Sequence, residues 1–219
     1  MIYDVAIIDY GMSNLQSVMV ACKKVGLSTI ITKNPDIINS SKSAILPGVG
    51  AFGSAMQHLK KNELIDPIKN FINTGKPFVG ICLGLQLLFE ESEEFGFNQG
   101  LGIIKGKVKK FKFYCDKKYK YSVPQIGWNK IIENDNLWNE TLLGGNDSEQ
   151  FMYFVHSYYV EPEDKSVQLA TTTYGKKTYC SAINYKNIFA TQFHPEKSGK
   201  DGIKIYSKLK KKINNENSI

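Results

Sequence analysis

A chain of 219 residues is long enough for one α/β domain with a full hydrophobic core, and short for two. Its 42% hydrophobic and 22% charged residues are ordinary for a soluble globular protein, its net charge of +7 is modest, and no apolar run approaches the roughly 20 residues of a membrane span. The four cysteines lie far apart, which argues against a zinc site and a disulfide framework. We therefore expect a single domain over 1–219, in the cytoplasm, without a metal or other cofactor.

The first half of the chain alternates between short apolar runs and amphipathic segments. Repeated strand and helix patterns predict a doubly wound, mostly parallel sheet with its ligand crevice at the carboxyl ends of the strands. The predicted strands are Val5–Ile8, Ser28–Ile31, Ala44–Leu46 and Phe78–Cys82, and the helices between them include Ser54–Lys60 and Leu64–Asn73.

From Gly100 onward the pattern changes to strands separated by polar turns, which predicts antiparallel or mixed pairing that extends the first sheet. A last amphipathic helix is predicted over Gly202–Ile213. The predicted strands are Ile103–Phe113, Tyr121–Ile132, Met152–Val160, Gln168–Tyr174, Thr178–Tyr185 and Phe189–Phe193.

The stretch FVGICLGLQLLFE (78–90) predicts a buried strand that turns sharply into a helix, with Cys82 at the turn. Glycines two residues before and two residues after Cys82 allow the bend, because a side chain at either position would crowd it. The free amides at the start of a helix favour thiolate over thiol, so Cys82 is a candidate nucleophile. The alternative is a cysteine that only packs in the core, as most do.

A cysteine nucleophile needs a base, and the chain has three histidines. His58 lies on an amphipathic helix and is expected at the surface, and His156 lies in an aromatic-rich strand where burial with simple hydrogen bonding is expected. His194 follows a strand that ends at the same sheet edge as Cys82, provided that this strand joins the central sheet. Glu196, two residues later, is placed to orient the imidazole, so these two residues are the candidate base and its partner.

An acyl-transfer site also needs donors for a developing oxyanion. Val49, within Pro47–Gly50 at a predicted strand end, has neighbouring glycines that let a peptide N–H turn toward a ligand. The amide of Leu83, next to the nucleophile, is the natural second donor. Taken alone, the first of these segments is better interpreted as an ordinary Pro-Gly turn.

Four segments in this order resemble the class I glutamine amidotransferases, and the resemblance covers nearly the whole chain. They are PGVGAFG (47–53), GICLGLQLLFE (80–90), FVHSYY (154–159) and QFHPEKS (192–198). The resemblance implies a flavodoxin-like α/β fold, in which helices flank a mostly parallel central sheet and additional antiparallel strands occupy the second half.

Within that class, DYGMSN (9–14), PGVGAF (47–52), GLQ (84–86) and GWN (127–129) resemble the glutaminase subunits of imidazole glycerol phosphate synthases. The resemblance implies a triad, an oxyanion hole, glutamine-binding residues and partner-coupling residues. In that order, they are Cys82, His194 and Glu196; Val49 and Leu83; Gly50, Gln86, Ser157 and Tyr158; and Asn14 and Lys197.

The implied reaction is hydrolysis of glutamine through a γ-glutamyl thioester on the cysteine. Ammonia then passes to a separate synthase subunit, the expected heterodimer partner, without entering bulk solvent. The resemblance also implies weak glutaminase activity until a ligand-bound synthase docks.

One position departs from the resemblance, since Gln125 stands before GWN where the family usually has histidine. That stretch is expected to face the partner or to neighbour the site. Similar subunits also accompany sugar amidotransferases of surface-polysaccharide synthesis, so the ammonia acceptor stays open between these two.

The basic stretch Lys105–Lys120 suggests a different class of function, because lysines interleaved with aromatic residues are able to bind nucleic acid. Alternation of lysine with apolar residues is also what a half-exposed strand looks like. The stretch has no arginine, the residue best suited to bidentate phosphate contacts, so nucleic acid is the weaker interpretation.

Overall fold

The computed structural model describes residues 2–12, 14–112, 121–134, 138–145 and 149–216. Within these ranges the α-helices are α1 (Leu15–Lys24), α2 (Pro35–Ser40), α3 (Phe52–Lys61), α4 (Ile65–Asn73), α5 (Leu83–Leu87) and α6 (Gly199–Glu216). The strands are β1 (Val5–Ile8), β2 (Thr29–Thr32), β3 (Ser43–Gly48), β4 (Phe78–Cys82), β5 (Phe89–Ser92), β6 (Asn98–Gln99), β7 (Ile104–Lys110), β8 (Gln125–Glu133), β9 (Glu149–His156), β10 (Tyr158–Pro162), β11 (Gln168–Tyr174), β12 (Lys177–Tyr185) and β13 (Ile188–Thr191).

The strands form one sheet with the order β2-β1-β3-β4-β13-β12-β10-β7-β5-β6. The block from β2 to β13 is parallel, whereas β12 pairs antiparallel with β13 and with β10. The strands β8, β9 and β11 branch from β12 by antiparallel pairing. The predicted architecture, a parallel first half extended by antiparallel strands, is therefore confirmed.

Both faces of the parallel block are buried, because successive side chains of a strand point to opposite faces. In β1, Ala6 and Ile8 belong to one apolar cluster, while Val5 and Ile7 belong to another on the opposite face. All four side chains are fully buried. This double coverage explains why the strand sequence is continuously apolar.

The position of β13 decides where the candidate base lies. β13 pairs in parallel with β4, and Thr191 is the register partner of Ile81. Both strands therefore end at the same edge of the sheet, with Cys82 closing β4 and His194 three residues beyond β13. The strand that precedes His194 therefore joins the central sheet, which was the condition for placing His194 at the same edge as Cys82.

The prediction of one strand over Met152–Val160 is wrong, because the strand is interrupted at Ser157. β9 ends at His156 and pairs with β8, whereas β10 begins at Tyr158 and pairs with β7 and β12. The two halves have different neighbours, so the chain shifts at Ser157. An uninterrupted run of apolar and aromatic residues gives no signal for such a shift.

The helix after Cys82 is shorter than the apolar pattern predicts. It ends at Leu87, and Phe89–Ser92 forms a strand parallel to β7. Leu85, Leu87, Leu88 and Phe89 are all fully buried. A continuously buried segment has no polar face, so periodicity does not separate helix from strand here.

The basic stretch behaves as a half-exposed strand where it is described. β7 alternates buried Ile104, Gly106 and Val108 with lysines, and Lys107 pairs with Glu91 at 2.6 Å. Residues 113–120 of that stretch lie outside the described residues. Among the helices that the structure describes, none is long and apolar enough to cross a membrane.

Candidate active site

Cys82 stands at a strained turn between β4 and α5. Its backbone has φ +55° and ψ −107°, a conformation that residues other than glycine rarely adopt. A Cβ atom on Gly84 would come within 1.8 Å of the Leu46 carbonyl oxygen, and one on Gly80 within 2.9 Å of the Ala190 Cβ. The two glycines therefore permit the close packing that holds Cys82 in its turn, as the sequence predicts.

His194 and Glu196 form a buried pair beside this turn. The imidazole Nδ1 lies 2.8 Å from the Glu196 Oε1, and the two side chains are only 2% and 1% exposed. The Pro195–Lys197 segment is a 3-10 turn, which brings the two side chains together across Pro195. With Nδ1–H donated to the carboxylate, Nε2 stays available for the neighbouring sulfur of Cys82.

The electrostatics favour a charged imidazole. Burial alone disfavours the imidazolium, but the neighbouring Cys82 thiolate and the Glu196 carboxylate outweigh it and raise the pKa of His194 from 6.5 to about 10. A positive imidazolium beside a cysteine sulfur favours the thiolate form of that sulfur. The thiolate is the form of cysteine that attacks a carbonyl carbon.

A pocket of about 280 Å³ opens in front of Cys82, just below the usual size range of sites for drug-sized ligands. The structure brings seven of the predicted site residues together in its wall. The lining residues are Val49, Gly50, Cys82, Leu83, Gln86, Glu94, Pro124, Val155, His156, Ser157 and Tyr158.

The two predicted oxyanion donors, the N–H groups of Leu83 and Val49, differ in their hydrogen bonding. Leu83 is the first residue of α5, where backbone N–H groups have no partner within the helix. The Val49 N–H donates to the carbonyl oxygen of Met12 at 3.3 Å. Val49 therefore has to release Met12 before it can donate to a ligand in the pocket.

The family model for class-I glutamine amidotransferases matches residues 6–210 of this chain. The chain belongs to the class-I glutamine amidotransferase family. The imidazole glycerol phosphate synthase subunit HisH of Syntrophotalea carbinolica is 48% identical over 202 residues, covering 92% of this chain and 96% of that protein. The protein of the same name from Sulfurimonas denitrificans is 45% identical over 210 residues, covering 94% and 97%.

Solved structures with low sequence identity share the fold of this amidotransferase. A structure titled as a glutamine amidotransferase has a TM-score of 0.71 at 14% identity, covering 96% of this chain and 99% of its own. The structure of PurLQS from Thermotoga maritima has a TM-score of 0.69 at 16% identity, covering 95% and 98%.

Glu94 is a pocket residue of the amidotransferase that the sequence did not single out. Glu94 lines the pocket, and its Oε2 accepts the N–H of Phe52, the first residue of α3, at 2.6 Å. Burial raises the pKa of Glu94. The Glu93–Glu94 pair on its own resembles a solvated acidic turn, so the sequence carries no signal for this role.

His156 is buried, as predicted, and also lines the pocket of the amidotransferase. Burial lowers the pKa of His156 from 6.5 to about 3, so the ring is neutral at ordinary pH. Nδ1 lies 2.7 Å from the Tyr158 carbonyl oxygen, and Nε2 lies 3.2 Å from the Tyr179 hydroxyl. His156 is therefore a poorer candidate for the base than His194.

Gln125 lies beneath the site and is 2% exposed. The Tyr179 hydroxyl is 3.0 Å from its Oε1, and Gln125 is the register partner of His156. The departure from the family pattern is thus part of the buried layer under the pocket. Of the two expected locations, next to the site or facing a partner, the structure supports the first.

Asn14 and Lys197 lie outside the pocket wall. Asn14 precedes α1 and its Oδ1 accepts the hydroxyl of Ser17 at 3.0 Å, while the Lys197 Nζ lies 5.9 Å from the centre of the Tyr153 ring. The helix α1 packs against the Pro195–Lys197 turn, so both residues border the segment that carries the His194–Glu196 pair.

The surface position expected for His58 is only partly right. Its ring is half-buried, and Nδ1 lies 3.1 Å from the Tyr10 carbonyl oxygen. In the ranges that the structure describes, no three His, Cys, Asp or Glu side chains gather closely enough to hold a metal ion.

Proposed function

We propose that this amidotransferase is the glutaminase subunit of an imidazole glycerol phosphate synthase. It hydrolyses glutamine and passes ammonia to a cyclase subunit that makes imidazole glycerol phosphate for histidine biosynthesis. The observation that carries the chemistry is the buried pair of His194 and Glu196 beside the strained turn of Cys82. The relatives named HisH, 45–48% identical over almost the whole chain, support the choice of synthase.

The acylation step starts from the thiolate–imidazolium pair. The Cys82 sulfur attacks the carboxamide carbon of glutamine, and the carbonyl electrons move to the oxygen. The Leu83 and Val49 N–H groups stabilise that oxyanion. When the tetrahedral intermediate collapses, the C–N bond breaks and His194 gives its proton to the nitrogen, which leaves as ammonia.

Deacylation uses the same residues with the opposite proton movement. Neutral His194 removes a proton from water, the resulting hydroxide attacks the thioester, and glutamate leaves as the thiolate re-forms. Glu196 keeps the ring in one orientation and stabilises its charged form in both steps. No further cofactor enters this scheme.

The pocket wall offers matching groups for a glutamine molecule. The Glu94 carboxylate is suited to the α-ammonium group of the substrate, and it is the acidic side chain in the described wall of the pocket. Gln86 donates its amide N–H₂ to the Tyr158 carbonyl at 3.0 Å, which leaves its Oε1 to accept from the substrate. Gly50, Ser157 and Tyr158 complete the wall.

The bond between Val49 and Met12 supports weak activity of the free subunit. A missing oxyanion donor costs about 10²–10³ in kcat in other acyl-transfer enzymes. We propose that docking of the ligand-bound synthase releases the Val49 N–H toward the pocket. The peptide that has to turn joins Gly48 to Val49, and Gly50, with φ +97°, follows it.

The partner is proposed to cover an apolar face of β8 and β9. Ile126, Trp128 and Phe151 are 63%, 56% and 56% exposed. Ile126 is the register partner of Val155, which lines the pocket, so this face continues to the mouth of the site. A subunit seated there receives ammonia directly, which argues for the synthase as the occupant.

Tyr153 gives the face a short connection to the catalytic base. The Trp128 and Tyr153 rings lie 6.2 Å apart, and the Lys197 Nζ lies 5.9 Å from the centre of the Tyr153 ring. The Tyr153 carbonyl accepts the N–H of His194 at 2.9 Å, and its own N–H donates to the Ser198 hydroxyl at 3.0 Å. Lys197 here, and Asn14 beside α1, are the proposed coupling residues.

Glutamate release from glutamine tests this function, with the cyclase subunit of the same cell present or absent and with or without its nucleotide substrate. We expect weak release by the free chain, strong stimulation by the ligand-bound cyclase, and complete loss in Cys82→Ala. Persistent hydrolysis by Cys82→Ala would contradict the chemistry. Activity that responds only to a sugar amidotransferase would keep the chemistry and reassign the acceptor.

We also propose a cytoplasmic location for the chain. Its Cys22, Cys82 and Cys180 side chains are free thiols, which suits a reducing compartment.

A further inference from the structure

A fully buried amide contacts the candidate nucleophile from below the pocket. Gln192 is 0% exposed, and its Nε2 lies 3.7 Å from the sulfur of Cys82. Gln192 directly follows β13, and its backbone N–H donates to the Ser181 carbonyl of β12 at 2.9 Å. The segment that delivers His194 to the site therefore delivers this amide as well.

The orientation of the amide is fixed by a relay of hydrogen bonds. The carbonyl oxygen of Tyr158 can only accept, so the group of Gln86 that faces it at 3.0 Å is the N–H₂. The same N–H₂ faces Gln192 at 3.1 Å, so that end of Gln192 is its oxygen. The other end of Gln192, next to sulfur, is therefore a donor.

The sulfur has different partners in its two protonation states. The backbone carbonyl of Val155, 3.9 Å away, can accept only from a protonated thiol. The amide of Gln192 donates, and a hydrogen bond to a charged acceptor is stronger than one to a neutral acceptor. The arrangement is complementary to the thiolate.

We propose that Gln192 is a positioning residue that holds the Cys82 sulfur toward His194 and stabilises its thiolate through the donated amide N–H. The relay from Tyr158 through Gln86 gives Gln86 a second role, since it keeps the donor end of Gln192 on the sulfur. This inference rests on the proposed function only in taking Cys82 as the nucleophile.

The test is the pH dependence of alkylation of Cys82 by iodoacetamide, followed by mass spectrometry of the Cys82 peptide. Burial raises the pKa of Cys22 and of Cys180 to about 12, so these thiols react little at neutral pH. In Gln192→Leu we expect the alkylation midpoint to move up by about one pH unit, with about tenfold slower labelling below the midpoint. Gln150→Leu, which removes another buried amide, controls for the loss of packing.

A second variant keeps the inference open to test if Gln192→Leu does not fold. Gln192→Glu has the same size but presents an oxygen to the sulfur, so its labelling is also expected to slow at neutral pH. In the cyclase complex, both variants should lose kcat far more than they change KM.

Wild-type labelling profiles in the folded Gln192 variants would overturn the inference. The readout is independent of glutaminase activity, so the two failures are distinguishable. If Cys82→Ala retained glutaminase activity, the proposed function would fail, while the labelling comparison would still decide whether Gln192 acts on the sulfur.

Discussion

At the scale of single residues, the site depends on two charges that stabilise each other inside the protein. Burying an isolated imidazolium or thiolate is costly, and pairing the two with a carboxylate offsets part of that cost. Glu196, whose side chain is 1% exposed, holds the imidazole of His194 by one short hydrogen bond. Removing the Glu196 carboxylate should therefore change the protonation of His194 more than it changes the geometry of the site.

In Glu196→Gln we expect the alkaline limit of glutaminase activity to move to lower pH. His194 has to stay protonated to release ammonia, and its pKa is raised to about 10 in part by this carboxylate. Loss of the charge should lower the limit by about one to three pH units. The measurement is the pH profile of glutamate release in the cyclase complex.

Glu163→Gln serves as the matched control, because Glu163 is an exposed carboxylate that follows β10 at the end away from the pocket residue Tyr158. Its pH profile should match that of the wild type. If the alkaline limit of activity in Glu196→Gln equalled that of the wild type, Glu196 would not control the protonation of His194.

Buried His156 should make a contribution to the free energy of unfolding that is lost in acid. Burial lowers its pKa to about 3, while the unfolded chain takes up this proton near 6.5. The unfolded state then binds more protons between these values, so stability is lost as pH falls through this window, by up to roughly 1.4 kcal/mol per pH unit. The raised pKa of His194 acts above pH 6.5 and has the opposite sign.

Urea unfolding of the wild type and of His156→Leu between pH 7 and pH 4 checks this contribution. The variant is expected to be less stable at pH 7, since it leaves the Tyr158 carbonyl with one donor fewer. Its stability should nevertheless fall less steeply with acid. Parallel curves for the two proteins would contradict the assignment.

At the scale of elements, the turn from β4 to α5 is fixed by backbone contact rather than by side-chain packing. Gly84 faces the Leu46 carbonyl of β3 at a distance that excludes even a methyl group. The neighbouring strand therefore sets where α5 begins, and with it the direction of the Cys82 thiol.

Gly84→Ala should destabilise the protein by more than about 3 kcal/mol, because either β3 or α5 has to move. Gly75→Ala is the comparison, since Gly75 has φ +79° and open space around it, and carries backbone strain of only about 1 kcal/mol. Thermal unfolding of both variants measures the difference. Equal losses would mean that the contact with Leu46 does not define the turn.

At the scale of the whole molecule, the apolar face of β8 and β9 is the proposed route by which a partner reaches the site. Trp128→Ala should weaken binding of the cyclase at least about tenfold, because large aromatic residues dominate such interfaces. Stability should change little, since this side chain is 56% exposed. Titration calorimetry or a glutaminase titration with cyclase gives the affinity.

Ile2→Ala controls for this prediction, because Ile2 is 65% exposed and precedes β1, at the opposite edge of the sheet from Cys82. Its affinity for the cyclase should equal that of the wild type. If Trp128→Ala bound the cyclase as tightly as the wild type does, the interface would have to lie outside β8 and β9.

The sequence was informative where local chemistry and local geometry coincide. The glycines around Cys82 and the alternation of strands and helices in the first half are readable because each obeys a short-range rule. The break at Ser157 and the strand at Phe89–Ser92 are not, because both depend on which strands the chain meets across the sheet.

The same limit applies within the pocket. Glu94 and Gln192 reach the site through contacts with Phe52 and Cys82, residues 42 and 110 positions away in the chain. No local pattern announces such contacts, and an acidic turn or a buried amide has many ordinary explanations. Only the three-dimensional contacts show that Glu94 and Gln192, and not their sequence neighbours, belong to the site.

The hydrogen bond from Val49 to Met12 makes the basal rate a measure of a conformational population. If only molecules with a free Val49 N–H turn over efficiently, the ratio of basal to stimulated rate equals their fraction in the resting ensemble. A hundredfold stimulation would then correspond to about 2.8 kcal/mol between the two states. Differential binding of this size would raise the active fraction only to about half, and nearly complete conversion by the docked cyclase needs about 5.5 kcal/mol.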